Sequence, residues 1–281
     1  MPIRLTENQY GESAVRLLRL NRQDGRHDVK EVSVTIRFEG DFDAAHREGD
    51  NRKILPPDTM KNTVYALARQ HSIEAIENLG VHVIDHFLSY NPQVTQVVVE
   101  LAENLWVRLP RGGKPHPSAF TRAGGEKRTA VLTGTRQGTQ IRSGIDNLMV
   151  LKTSDSAFEH FLKDPYTTLE EDRDPILATS IRADWLYTQE DAEFAPLWHA
   201  VRQMLLETFA EHRSESLQHT LYAMGEAILK NFDNVAEIHL ALPRHHFDLV
   251  DLAPLGMDNP GALFLPLNDP CGVVEATLRK E

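Results

Sequence analysis

Apolar and polar residues alternate with a period of two through Val15–Leu20 and Val29–Phe42, on either side of the turn-like stretch NRQDGRHD. That pattern predicts a hairpin of half-buried strands. The period then lengthens. Ile73, Ile76, Leu79, Val83, Ile84 and Phe87 recur at helical spacing, a stripe that faces a core, and Asn91-Pro92 closes the helix. A preceding helix runs from Asp58, an acceptable N-cap, to about Arg69. Val94–Leu101 and Trp106–Leu109 read as strands, RGGKPHPSAF as a loop, and Lys127–Thr133 as a return to the sheet.

The second half repeats this order. Asn147–Lys152 and Ile181–Tyr187 read as strands around a long insertion rich in Asp and Glu. Glu193–Glu211 and Ser214–Leu229 read as helices, the first with Leu197, Val201, Leu205 and Phe209 on one face, the second with Leu217, Leu221, Met224 and Ile228. Ala236–Leu242, Phe247–Leu252 and Ala262–Leu265 read as strands. The expectation is an α+β chain of two similar domains, 1–140 and 141–281, related by internal duplication. Strand pairs followed by helix pairs imply antiparallel sheets with helices on one face. Such sheets leave edges and a face unfinished, so a closed homo-oligomer is expected.

Composition narrows the function classes. A formal net charge of −11, spread along the chain, argues against nucleic acid and against an anionic membrane surface. No apolar run approaches the ~18 residues of a membrane span. The start, MPIRLTENQY, has no secretion-signal core. The single cysteine, Cys271 in NDPCGVV, excludes an intrachain disulfide framework and fits a reducing, cytoplasmic compartment. His82 and His86 stand at i, i+4, a spacing that suits a metal, but no third ligand accompanies them at telling spacing. They read as helix-surface residues, and no metal is expected.

One stretch stands out, GDNRKILPPDTMKNTVYALA, where rigid Pro56-Pro57 enters a helix at Asp58. A helix start offers free N–H groups to a planar polar ligand. Together with NQYGESAVRLL, GKPHPSAFTR, EKR, SGIDNLMVLKTSDSAFEHFLKDPYTTL and DPCGVVEAT, it resembles the urate oxidase (uricase) family over roughly residues 9–277. The resemblance implies tandem tunnelling-fold domains. It also implies barrels completed by assembly into a homotetramer, with active sites between subunits. The reaction it implies is oxidation of urate by dioxygen to 5-hydroxyisourate and peroxide, with neither metal nor organic cofactor. A urate dianion is electron-rich enough to reduce dioxygen itself, so the protein need only deprotonate, hold and shield it.

The family's working residues are half retained. By resemblance, Phe158 is the flat lid over the ring and Gln218 the amide at the purine edge. Leu217 stands where a small branched residue is usual. Asp58 meets the substrate through its backbone N–H, and His246 belongs to the proton network. The other positions have changed. Glu12 replaces a lysine and Pro57 a threonine, the two halves of the base dyad. Pro175 replaces the clamping arginine, and Arg244 the asparagine that holds dioxygen or water. His245 points to the opposite strand face and reads as structural.

Proline deletes a donor and a relay hydroxyl while keeping the helix entry. Ordinary urate turnover is therefore not expected. Glu12 is either a replacement base or a solvated carboxylate. Arg244 either supplies the charge lost at position 175 or pairs with Glu12 across a subunit boundary. Three functions stay open: a slow or altered uricase-type oxidase, an enzyme acting on another purine or pterin-like ring, and a non-catalytic heterocycle-binding protein.

Overall fold

The computed structural model describes residues 3–23, 25–172, 176–267 and 272–281. The chain divides into two compact units, Met1–Gly144 with Leu186–Trp198, and Ile145–Trp185 with His199–Glu281.

In the first unit, β1 (Gln9–Gln23) and β2 (Arg26–Gly40) form the antiparallel hairpin that the alternation predicts. Val32, Val34, Ile36 and Phe38 of β2 all point into the core and are buried. A short helix, α1 (Asp43–Glu48), which no periodic signal marked, follows. Then come α2 (Pro57–Gln70) and α3 (Ile76–Tyr90). Strand β3 (Val94–Arg111) pairs antiparallel with β2 on one side and with β4 (Lys114–Thr135) on the other. Helix α3 packs on β3 and β4, and α2 on β1. The approach of α3 is close enough that a Cβ at Gly80 would lie 2.7 Å from Leu132 Cδ1.

Three expectations need correcting here. The two strands expected over 94–109 are one continuous strand, and RGGKPHPSAF is a hairpin, with Arg111 opposite Lys114. The turn is confined to Gly112-Gly113, whose φ values of 57° and 77° only glycine adopts freely. Two prolines, Pro115 and Pro117, disguised the strand, because proline donates nothing to a ladder. Asp58 is not the N-cap either: Pro56 holds that position, without a side-chain cap bond, and Pro57 is the first helical residue. Proline suits that place because its fixed φ is already helical and its missing N–H has no partner there.

The first unit also closes a buried charge network. Glu77, in the first turn of α3, is fully buried. It accepts from Arg128 Nη2 at 2.7 Å and from the Ser143 hydroxyl. Tyr187 donates to Ser143 Oγ at 3.0 Å. Arg128 also donates to the Phe194 carbonyl at 3.2 Å and lies over the Trp198 ring.

In the second unit lie the end of β5 (Gly138–Lys152) and most of β6 (Leu177–Tyr187) and of α4 (Phe194–Glu211). It continues with α5 (Leu217–Asn231), β7 (Val235–His245), the small pair β8 (Phe247–Leu249) and β9 (Phe264–Pro266), and β10 (Val273–Arg279). Strand β10 pairs antiparallel with β7, and α5 packs on both. Gly225 does here what Gly80 does in the first unit: a Cβ would lie 2.9 Å from Leu278 Cδ1. No helix among the described residues is long and apolar enough to cross a membrane.

Candidate functional site

Five separate segments of the second unit converge on one cavity of about 190 Å³. The first is Ser156-Ala157-Phe158, held by backbone bonds from Ala157 N to the Ser214 carbonyl (2.7 Å) and from Ser214 N to Asp155 (2.9 Å). Phe158 exchanges two backbone bonds with Asp172, at 2.8 and 3.2 Å. Its half-buried ring stacks on Phe161 with centroids 5.0 Å apart and planes 14° from parallel. A phenyl held from behind in this way presents its other face as a flat platform.

The start of α5 forms another wall. Ser216, extended at φ −172°, accepts from His219 N at 3.1 Å and caps the helix. Thr220 N bonds to the Ser216 carbonyl. The N–H groups of Leu217 and Gln218 meet no acceptor among the described residues. Leu217 is buried in the cavity wall and Gln218 is exposed at its rim. A buried Thr220–Ser214 hydroxyl pair at 2.7 Å, itself bonded to the Ser216 carbonyl, fixes this corner.

Arg244 reaches the cavity from the end of β7. Its root is fixed by backbone: Arg244 N donates to Gly272 O at 3.1 Å, and Thr179 Oγ1 donates to the Pro243 carbonyl at 2.8 Å. Among the described residues its half-buried guanidinium faces no carboxylate. His245 points away and shares a 2.6 Å hydrogen bond with Ser180 Oγ, a structural contact. His246 lies outside the cavity lining, its carbonyl accepting from Leu267 N at 3.0 Å. The structure thus brings Phe158, Leu217, Gln218 and Arg244 together and leaves His246 two residues beyond them. The serines at 156, 214 and 216 escaped the sequence reading. The sequence reading started this helix at Ser214, whereas Leu217 is its first residue and Ser216 its N-cap.

Glu12, Pro57 and Asp58 belong to the first unit. Glu12 sits opposite Ile36, where the register of β1 slips before Val15. Gly11 is obligatory, since a Cβ there would lie 1.8 Å from the Ile36 carbonyl oxygen. Ala14 takes φ 53° to complete the bulge, donating to Thr35 Oγ1 at 3.1 Å. Beside it, the Tyr10 hydroxyl accepts from Leu55 N at 2.9 Å, tying the approach to Pro56-Pro57 onto β1. Burial of that phenol pushes its pKa up.

Asp58 is exposed, and both its oxygens are engaged, by Lys61 Nζ at 2.5 Å and Asn62 Nδ2 at 3.1 Å. The Lys61 hydrogen bond and charge hold its carboxyl below the usual range. The same hydrogen bond raises Lys61, with a small contribution from Glu12. Thr59 N and Met60 N both bond to Pro56 O, whereas Asp58 N meets no acceptor among the described residues. Pro175 and Cys271 lie outside the described residues. His82 stacks on His71 and His86 packs against Tyr90; burial lowers the pKa of both.

Comparison with known proteins gives this arrangement a family. The uricase family model matches residues 8–133 and 141–275. The uricase of Arthrobacter globiformis is 40% identical over 277 residues, spanning 99% of this chain and 90% of that protein. The uricase of Dictyostelium discoideum is 31% identical over 279 residues, spanning 98% and 97%. The chain belongs to the uricase family. Its fold agrees: the crystal structure of the Arthrobacter globiformis uricase superposes with a TM-score of 0.94 at 39% identity, covering all of this chain and 96% of that one. A urate oxidase structure from Bacillus sp. TB-90, at 21% identity and a TM-score of 0.83, shares the fold. The architecture is accordingly the α+β tunnelling fold of uricases.

Proposed function

We propose that this chain oxidises urate, or a closely related purine, with dioxygen in the manner of uricases, at a rate lowered or altered by its substituted positions. The observation that carries the reading is the cavity where Phe158, Gln218 and Arg244 converge, in a chain so alike to uricases along its length. Phe158 supplies a stacking face, and the Gln218 amide supplies one donor and one acceptor for the edge of a purine. The reaction balances without an added redox group. The urate dianion gives two electrons to dioxygen, water adds at C5 of the oxidised ring, and 5-hydroxyisourate and hydrogen peroxide leave.

At about 190 Å³ the cavity is smaller than the roughly 300–1,000 Å³ usual for a small-molecule site. A second copy of the chain completes it, in a homotetramer whose subunits bring Glu12 and Asp58 to a neighbour's cavity. In that assembly Glu12 is the base, the free N–H of Asp58 meets the ring, and His246 carries protons. A carboxylate base in place of a lysine, and a proline where a hydroxyl relay stood, support a second reading. In it the same site takes a different purine or pterin-like ring, or holds a ring without turning it over.

The deciding experiment follows urate absorbance and oxygen consumption together with purified protein. Loss of urate with one dioxygen consumed per urate supports the first reading. A ring that raises the melting temperature and is recovered unchanged supports the second.

A further inference from the structure

The chain carries a net charge of −11, yet no carboxylate lines the cavity of the second unit among the described residues. Among the described residues its one charged wall residue is Arg244, which finds no anionic partner there. The start of α5 belongs to the same wall, and the N–H groups of Leu217 and Gln218 there lack acceptors among the described residues. A helix start and a guanidinium both favour negative charge. The remaining lining is apolar or hydroxyl-bearing, with Ala157, Leu177 and Val274 beside the serines, so among the described residues no second charge competes with the guanidinium.

Arg244 is also poorly placed to serve the fold. The backbone bonds at Pro243 and Gly272 hold its Cα without using the side chain. Arg128 in the first unit shows the alternative, a guanidinium bonded to a buried carboxylate and to a carbonyl.

We propose that Arg244 is a specificity-determining residue that selects a planar heterocycle bound as an anion, its charge lying between the guanidinium and the start of α5. The inference rests on this cavity being the ring site of the proposed function, and it concerns binding rather than turnover. Arg244 recognises the charge; Phe158 and Gln218 recognise shape and edge, and on their own they do not distinguish a charged ring from a neutral one.

The test compares urate, an anion at neutral pH, with hypoxanthine, a neutral purine that carries one of urate's three ring oxygens, so the change between native protein and variant, not the native preference alone, reads the charge. Binding to the full-length protein is measured by equilibrium dialysis under nitrogen at fixed ionic strength. The native protein is expected to prefer urate by about tenfold to a hundredfold. Arg244→Gln is expected to cut that preference by about tenfold, through weaker urate binding, and Arg244→Lys to restore part of it. Both variants are checked by melting temperature, because a side chain the fold does not use should leave it unmoved. Equal loss of both ligands in Arg244→Gln, an unchanged urate affinity, or no binding of either ring to the native protein would overturn the proposal. Charge-selective binding without oxygen uptake would support this inference while defeating the oxidase reading. Urate oxidation with an unchanged KM in Arg244→Gln would do the reverse.

Discussion

Arg128 and Arg244 make the instructive pair. Arg128 is almost wholly buried, and its charge meets the Glu77 carboxylate, the Phe194 carbonyl and the face of Trp198, while its Nε finds no hydrogen-bond partner among the described residues. Arg244 is half-buried at a cavity with no carboxylate among the described residues. Desolvating a guanidinium is costly, so one placed in a core is matched by the core itself. In the proposal made above, a guanidinium that meets no carboxylate among the described residues takes its partner from a bound ligand.

The two helix starts differ in the same sense. At α2 the exposed Asp58 is answered by its own helix, through Lys61 and Asn62. At α5 Ser216 satisfies one N–H, and those of Leu217 and Gln218, residues of the cavity wall, meet no acceptor among the described residues. Helix geometry is common to both. What differs is whether the local charges are already spoken for.

The comparison can be broken most severely at Glu77. Glu77→Ala strands the Arg128 guanidinium in the core and should destabilise the protein by about 3–5 kcal/mol, read as a shift of the urea midpoint. A smaller effect than this would mean that water reaches the network.

Next comes the catalytic side. Glu12→Lys combined with Pro57→Thr and Pro175→Arg should raise urate turnover by about a hundredfold, the effect expected from restored transition-state contacts. If the variant folds and no gain appears, the altered positions are not what limits the reaction.

Ser216→Ala removes the one side-chain cap of α5 and should cost about 1 kcal/mol in denaturant titration. No matching cap exists at α2, where Pro56 makes no side-chain bond.

The smallest expected effect is at Lys61. Lys61→Met should let the Asp58 carboxyl rise toward its ordinary pKa, measured by NMR titration. A depressed folded-state pKa gives stability that is present above the unfolded value and lost as pH falls through the folded one. Because Asp58 is exposed, solvent and salt screen that contribution, so the acid unfolding midpoint should scarcely move.

Much of the fold was legible because it follows from local period. The alternation in β2 and the stripes on α3 and α5 report which side of each element meets the core, and the buried residues are those stripes. Legibility failed where a local signal was disguised. Prolines at 115 and 117 hid the strand after Gly112-Gly113, and Asp58 invited an N-cap reading although two prolines before it had already set the helix.

The candidate site was legible only through family resemblance. Nothing periodic connects Ser156–Phe158, Ile176-Leu177, Ser214–Gln218, Arg244 and Gly272–Val274, and no spacing rule pairs Phe158 with Gln218. By itself, then, the sequence determined most of the elements and their buried faces, because these depend on interactions among near neighbours. Tertiary structure alone decided which far-apart segments wall the cavity and which arginine meets no carboxylate among the described residues. Apolar burial drives chains together without direction, and only the assembled backbone, through bonds such as Ala157 to Ser214 and Arg244 to Gly272, fixes which polar groups end up facing one another.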